Sequence, residues 1–215
     1  TLVINRKIAK RNITNMISLC RKHQMDFRPH FKTHQSIEVA KLFAIQGIDK
    51  ITVSSVDMAI EFADHGWKDI LIAIPFNIRE CEEVNAIPED VSISLAVENE
   101  TTVVELARRI TRSIDIYIKI DCGYGRTGLE VNDTLQISSI ADAVSSFEKL
   151  KLKGLLSHFG NTYSANSERE VIEIFNQALQ SLTLLKEELE EKFGNLMVSI
   201  GDTPSLSMID KWEGF

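Results

Sequence analysis

This 215-residue sequence contains no long apolar run, no excess of positive charge and few cysteines. No uninterrupted apolar stretch approaches the ~20 residues that a bilayer-crossing helix needs. The first residues also lack the basic-then-apolar layout of a signal peptide. The formal net charge of −7 argues against nucleic acid or an anionic membrane as a general partner, because both favour clustered Lys and Arg. A phosphorylated small molecule is not excluded, since a few local donors can hold it.

The three cysteines, Cys20, Cys81 and Cys122, are widely spaced and form no C-x-x-C pair. An odd number of such residues indicates free thiols in a reducing compartment, so we expect a cytoplasmic protein. With 44% hydrophobic and 26% charged residues, ten Gly and four Pro, the chain has the proportions of one globular domain with a sizeable core.

Short β-branched apolar runs alternate with amphipathic stretches along the whole sequence, and they predict strands and helices respectively. One helix is predicted over residues 8–22, and the longest over about 167–192. The alternation predicts a parallel sheet, in either a TIM-type (β/α) barrel or a doubly wound open sheet, and periodicity alone does not choose. A barrel needs eight strands. Seven are predicted, over residues 27–33, 51–55, 70–76, 91–97, 114–121, 152–158 and 196–201.

Chemically unusual residues cluster at the predicted carboxyl ends of four strands. In both architectures a ligand binds outside those ends, so the clustering predicts one site at one rim. The four strings are Arg-Pro-His-Phe-Lys-Thr-His at 28–34, Asp-Cys-Gly-Tyr-Gly-Arg at 121–126, Ser-His-Phe-Gly-Asn-Thr-Tyr at 157–163 and Gly-Asp-Thr-Pro-Ser at 201–205.

Lys32 lies between His30 and His34 in the first predicted strand, and alternate residues of a strand share one face. If that face is the barrel interior, a charged lysine there is unfavourable unless it is neutral or paired. A desolvated lysine is the group that forms Schiff bases with carbonyl compounds. The alternative is a lysine at a strand end whose amine reaches solvent.

The string that begins at Gly201 offers successive backbone N–H groups and the Thr203 hydroxyl after a strand. Such a nest can hold a phosphate without a lysine. The G-x-x-x-x-G-K-[ST] string of a P-loop is absent from the sequence. The alternative is a strand-to-helix turn with Thr203 or Ser205 as N-cap and Pro204 at the first helical position. The two interpretations are compatible.

Three further side chains could contact a ligand at this rim. Arg126, in a glycine-rich turn, can donate to an anionic oxygen through its planar fork, or it pairs with Asp121 or Glu130. His158 ends a strand, where a histidine is more often a satisfied core residue than a catalyst. Tyr163 could cover an aromatic ring or pack against its neighbours.

The lysine string resembles the lysine motif of the D-threonine aldolase and D-serine dehydratase family. That family is a branch of the fold-type III pyridoxal 5′-phosphate (PLP) enzymes related to alanine racemase. The other three strings resemble its later motifs in the same order, and the resemblance covers essentially all of residues 1–215. It implies a PLP-binding TIM-type barrel of the alanine racemase N-terminal type.

The resemblance also implies roles for the residues of the site. Lys32 would carry the cofactor as a Schiff base and act as the base at Cα. Arg126 would donate near the phenolate oxygen of the cofactor. His158, the second expected catalytic residue, and Tyr163 would lie against or beside the pyridine ring.

In the same resemblance, Gly201, Asp202 and Thr203 would hold the phosphate. Asp202 would contribute its backbone N–H while its carboxylate faces elsewhere, because an anion beside a phosphate is unfavourable. His30 and His34 would support the site without touching the substrate.

Members of this family continue into an eighth strand and a β-rich C-terminal domain that brings the catalytic metal ligands. We therefore interpret residues 1–215 as a truncated barrel that lacks metal ligands and is inactive alone. A divalent metal, Zn or Mn, is expected only in the full-length protein, which the family suggests is a homodimer. The expected reaction is PLP-dependent aldol cleavage or dehydration of a β-hydroxy D-amino acid. The alternatives are amino-acid racemisation and a barrel that only binds the cofactor.

Overall fold

The computed structural model describes residues 3–208, which form one curled sheet of seven parallel strands with helices between them. Neighbouring strands follow the order β1-β2-β3-β4-β6-β7, and β5 pairs with the end of β4. The strands are β1 Lys50–Val53, β2 Asp69–Pro75, β3 Ser92–Val97, β4 Ile114–Asp121, β5 Leu129–Glu130, β6 Leu150–Ser157 and β7 Met197–Ile200.

Helices connect the strands in the order that the sequence predicts. In residues 3–208 they are α1 Arg6–Lys22, α2 Ile37–Ala44, α3 Val56–Asp64, α4 Cys81–Ala86, α5 Glu100–Arg109, α6 Thr134–Ser145, α7 Glu168–Phe193 and α8 Thr203–Leu206. Three short 3-10 turns cover Phe31–Thr33, Ile78–Glu80 and Gly160–Ser164. None of these helices is long and apolar enough to cross a membrane.

Serine side chains define where several helices begin. Ser36, Ser55 and Ser167 each accept the backbone N–H three residues further on, at the starts of α2, α3 and α7. Loss of such a cap costs about 1 kcal/mol. The predicted longest helix is confirmed as α7, which ends at Gly194 with a φ of +76° that favours glycine.

The two faces of the sheet differ in composition. In β4 the side chains that pack against the helices are all isoleucine, and each is worth about 1.5–3 kcal/mol when fully buried. They are Ile114, Ile116, Ile118 and Ile120. The opposite, concave face carries a smaller apolar cluster in its middle. That cluster consists of Leu71, Ala96, Tyr117 and Leu156. Polar side chains of β4 therefore project toward the concave face.

The first predicted strand, over 27–33, is wrong. Only His30 makes a parallel bridge there, with Thr52 of β1, and the chain then turns into the 3-10 helix. Pro29 has no N–H to donate to a ladder, and His30 Nδ1 instead accepts the N–H of Lys32 at 3.3 Å. Phe31 is fully buried, so the chain must turn its side chain into the core.

Both edges of the sheet are incompletely paired within residues 3–208. On one side β1 continues only into the single His30 bridge, and on the other β7 pairs with β6 alone. Met197 of β7 is partly exposed and receives a contact from the Tyr117 hydroxyl at 3.8 Å.

The cysteines are free thiols. Cys20 and Cys81 are buried in the core, and burial raises the pKa of both. Cys122, at the end of β4, is half-buried, and its Sγ lies 3.5 Å from the Ser157 hydroxyl.

Candidate active site

The four predicted strings converge at the rim where the strands end. His158 is central: Gly201 O lies 2.6 Å from its Nδ1, and the rings of Tyr124 and Tyr163 lie 5.8 and 6.1 Å from its own. Burial lowers the pKa of His158, and the positive charges of Arg126, Lys32 and Lys119 lower it further. The structure therefore brings together the segments that sequence reasoning grouped.

Lys32 is exposed, in the 3-10 turn Phe31–Thr33. The expectation that it lies on a buried strand face is wrong, because no strand forms there. Phe31 anchors the turn through ring contacts with Phe43, Phe62 and Trp67 at 5.0–5.2 Å. The amine is consequently accessible and is carried on a rigid turn.

His30 and His34 occupy different surroundings. Burial, followed by the charge of Lys32, lowers the pKa of His30 to about 4, so it is neutral at physiological pH. A neutral Nδ1 can accept the Lys32 N–H, as observed. His34 instead lies against Phe31, with ring centroids 4.6 Å apart, and its Nδ1 accepts the Ser36 N–H. His34 therefore packs behind the turn. It does not share a face with Lys32, as it would if both residues lay in one strand.

Lys119 of β4 is the buried lysine of this rim, with 4% of its surface exposed. Burial, and next the charge of Arg126, lower the pKa of Lys119 to about 8, while Glu98 opposes the shift. The charge of Lys32 contributes to the lowering as well. Sequence reasoning missed Lys119 as a site residue. The signal was present in the sequence: isoleucine occupies every second position of β4, so Lys119, which lies between two of them, must project from the opposite, concave face.

His158 has one defined tautomer. A carbonyl oxygen can only accept, so Nδ1 donates its hydrogen to Gly201 O and Nε2 keeps a lone pair. Burial lowers the pKa of His158, and the nearby charge of Arg126 lowers it further. The ring is thus a neutral imidazole of fixed orientation.

Arg126 is exposed and lies over the Tyr124 ring, 5.2 Å from its centroid. The carboxylate of Asp121 accepts three backbone N–H groups of the glycine-rich turn, at 2.6–3.0 Å. Asp121 therefore holds the turn instead of pairing with Arg126. Tyr124, which sequence reasoning missed, packs on Gly160, where a Cβ would lie 2.3 Å from the ring.

The string at 201–205 forms the start of the short helix α8. Its N-cap is Asp202, whose Oδ1 accepts the Ser205 N–H at 2.8 Å, so the predicted cap at Thr203 or Ser205 is wrong. The Asp202 carboxylate is buried, while Thr203 is exposed. The Thr203 N–H donates to the Tyr163 hydroxyl at 3.2 Å.

The sequence profile described as "Alanine racemase, N-terminal domain" matches residues 4–207 of this chain. The chain belongs to the alanine racemase N-terminal domain family. Two of its relatives are lyases by name. The 3-hydroxy-D-aspartate aldolase of Paracoccus denitrificans is 26% identical over 167 residues, 74% of this chain and 42% of that protein. The D-threo-3-hydroxyaspartate dehydratase of Delftia sp. strain HT23 is 24% identical over 217 residues, 99% of this chain and 57% of that protein.

A solved structure gives the fold of this alanine racemase-type domain. The D-threonine aldolase of Filomicrobium marinum superposes with a TM-score of 0.88 at 20% identity, over 98% of this chain and 58% of that one. The predicted barrel of the alanine racemase type and the predicted resemblance to D-threonine aldolases are thereby confirmed. Proteins named alanine racemase also match, over a shorter part of this chain. The chain spans about half the length of the curated relatives it matches.

Proposed function

We propose that this chain binds pyridoxal 5′-phosphate through the amine of Lys32 and forms the cofactor-binding part of a lyase that acts on β-hydroxy D-amino acids. The observation that carries the proposal is the convergence at one rim of an accessible lysine, a neutral histidine of fixed tautomer and the turn at 201–203. Names of relatives support the reaction class: they include aldolases and dehydratases of hydroxy D-amino acids.

The donors at this rim fit the chemistry of the cofactor. An aldehyde needs a primary amine, and Lys32 offers one in an exposed position. A phosphate and a phenolate are anions, and the rim carries Lys32, Lys119 and Arg126. When bound, PLP delocalises the electrons of a carbanion at the substrate Cα into its pyridine ring.

Each residue of this chain then has a defined task. Lys32 would hold the cofactor through its amine and would serve as the base toward the proton at the substrate Cα. His158 orients the pyridine ring and keeps its Nε2 lone pair on the side away from Gly201, because Nδ1 is engaged there. Arg126 donates to the phenolate oxygen. The Tyr124 ring under its guanidinium limits where that donor can point.

The phosphate is held by the Gly201 backbone and by Thr203. Tyr163 takes part, because its hydroxyl accepts the Thr203 N–H and still has a hydrogen to donate. The backbone N–H of Asp202 also donates to the phosphate, whereas its carboxylate, which is buried, does not.

The chemistry at the β-hydroxyl requires groups that we propose lie outside the described residues. Within residues 3–208, no group of three His, Cys, Asp or Glu is arranged to hold a metal ion. In the proposal a divalent metal, Zn or Mn, is bound by a further part of the protein, which acts as a homodimer in the cytoplasm on a β-hydroxy D-amino acid.

Amino-acid racemisation is the second candidate, favoured by the family to which the barrel belongs. It needs a second base on the opposite face of the cofactor. The two functions separate in one assay of the full-length protein: a lyase releases an aldehyde or a keto acid from D-threonine or D-serine, whereas a racemase converts D-alanine into L-alanine.

Borohydride trapping tests the assignment of Lys32. Protein incubated with PLP and reduced should carry a stable adduct on the peptide that contains Lys32. Lys32→Ala should abolish the adduct, and Lys119→Met, a matched control at the same rim, should retain it. An adduct that maps to Lys119 in the wild-type protein would overturn the assignment.

Turnover by residues 1–215 tests the need for further groups. We expect aldehyde release from D-threonine and pyruvate release from D-serine to be slow even with added Zn²⁺ or Mn²⁺. Loss of acid–base help at the hydroxyl alone costs ~10²–10⁴ in rate. Turnover near ~10 s⁻¹, typical of enzymes, would show that this chain is functionally complete.

A further inference from the structure

The turns after β6 and β7 are joined by three side-chain contacts in succession, which we call the rim clasp. Each contact pairs one residue of 158–163 with one residue of 201–203. The contacts are His158 Nδ1 to Gly201 O (2.6 Å), Thr162 Oγ1 to Asp202 Oδ1 (2.8 Å) and Thr203 N to Tyr163 Oη (3.2 Å).

The middle contact of the rim clasp is the buried one. Asp202 and Thr162 are 6% and 2% exposed, whereas Tyr163 is 57% exposed. Asp202 Oδ1 accepts the Ser205 N–H at 2.8 Å and lies 2.8 Å from Thr162 Oγ1, whose single hydrogen it shares with the Phe159 carbonyl oxygen at 2.7 Å. One carboxylate oxygen thus joins the turn after β6 to the first turn of α8.

The second oxygen of this carboxylate also faces inward. Asp202 Oδ2 is buried and has no hydrogen-bond partner in the described part of the chain. The same holds for the hydroxyl of Ser205, three residues later. A side chain that served a ligand at the rim would direct an oxygen outward, and this one does not.

We propose that Asp202 is a positioning residue. Its carboxylate holds Thr162, and through that turn it fixes His158 and Tyr163 beside Gly201 and Thr203, without touching the cofactor. The inference goes beyond the expectation that the Asp202 carboxylate faces away from the phosphate, because it gives that carboxylate a task. It rests on the proposed function only for its effect on cofactor binding, because the clasp itself exists in the cofactor-free chain.

Two substitutions at one position separate positioning from charge. Asp202→Asn keeps an acceptor oxygen for Thr162 and Ser205, removes the charge, and places an NH₂ donor where Oδ2 has no partner. Asp202→Ala removes the acceptor and the charge together. A carboxylate that acted through its charge would make the two variants equal.

Thr162 offers an independent approach to the same contact. Thr162→Val keeps the shape of the side chain and removes the hydroxyl that reaches both Asp202 and the Phe159 carbonyl, so its loss should be at least that of Asp202→Ala. Asp133→Ala is the matched control: Asp133 also caps a helix, α6, through its Oδ1 and the Gln136 N–H, but it takes no part in the clasp. It removes a cap without disturbing the rim.

Two measurements on these variants test the proposal. Amide hydrogen exchange of Thr203 and Ser205 in the cofactor-free protein reports on the clasp alone. The PLP dissociation constant and the visible band of the bound cofactor report on its consequence. We expect Asp202→Ala and Thr162→Val to speed exchange at both amides and weaken PLP binding about tenfold, the effect of about one hydrogen bond. Asp202→Asn and Asp133→Ala should stay within about threefold of wild type, with an unchanged band.

Equal losses in Asp202→Asn and Asp202→Ala, or unchanged exchange in Thr162→Val, would overturn the inference. A wild-type chain that shows no PLP binding would count against the proposed function instead, while the exchange data would still decide whether Asp202 fastens the clasp.

Discussion

The turn that carries Lys32 and the strand that carries Lys119 bring two amines to one rim by opposite routes. Lys32 stands exposed on a 3-10 turn, which a buried phenylalanine anchors from below. Lys119 is almost fully buried in β4, and burial lowers its pKa to about 8. Burial of Lys119 therefore disfavours the charged form of its amine. Reactivity toward a large cofactor also needs access, which Lys32 alone combines with a rigid support.

The largest expected effect concerns that support. Phe31→Ala should cost about 3–5 kcal/mol of unfolding free energy, because it empties a fully buried site surrounded by aromatic rings. Urea unfolding followed by tryptophan fluorescence measures it. Phe31→Leu, which fills much of the space, should cost less and keep the borohydride adduct at Lys32. A stability of Phe31→Ala equal to wild type would mean that the turn is held by its hydrogen bonds alone.

The second prediction concerns the buried amine. Because the pKa of Lys119 is lowered from 10.5 to about 8, the unfolded chain binds more protons between those values, and stability rises with pH there. Lys119→Met removes this cost. The free energy of unfolding of the variant should exceed that of the wild type by on the order of 3 kcal/mol below pH 8, and this difference should fade toward pH 10.5.

Lys32→Met is the control for that experiment, since an exposed lysine has little to lose on folding. Unfolding curves from pH 7 to 10 should show the gain in Lys119→Met and nothing comparable in Lys32→Met. A pH-independent difference between the two variants would show that packing, and not charge, separates the two amines.

The smallest expected effect is in binding. Thr203→Ala removes one hydroxyl from the proposed phosphate site and should weaken PLP binding by ~1.5–3 kcal/mol, while pyridoxal, which has no phosphate, is nearly unaffected. The same difference should appear in the Lys119→Met background, because the two sites act independently. Equal weakening of both ligands would indicate that Thr203 acts through the general stability of α8.

Much of the fold follows from pattern alone. The predicted bounds of the strand at Ile114–Asp121 agree with the observed ones, because isoleucine alternates with other residues over all eight positions and such an alternation indicates a strand. The failure at 27–33 has a local cause: a histidine that bonds the amide two residues on competes with the ladder, and no periodicity records such a bond. β5, with two residues, is too short for any pattern.

The site was predictable as a set of segments but less so as a set of contacts. The carboxyl ends of parallel strands lie at one edge of the sheet, so the three strings that follow strands converge as expected, and the first is joined to the sheet only by the His30 bridge to Thr52. The tautomer of His158 and the inward turn of the Asp202 carboxylate depend on partners about 40 residues away. The sequence motif therefore predicts that the Asp202 carboxylate faces away from a phosphate, but it does not predict which groups that carboxylate contacts.

The packing of Tyr124 on Gly160 sterically couples two positions that are distant in the sequence. A methyl group at 160 would overlap the ring at 124, so Gly160 cannot be enlarged while that ring keeps its position. The order of change also matters. Shortening Tyr124 first removes a partly exposed ring and clears that space, whereas enlarging Gly160 first requires the Tyr124 ring to move. Sequence change at this rim therefore meets less steric resistance when Tyr124 is shortened before Gly160 is enlarged.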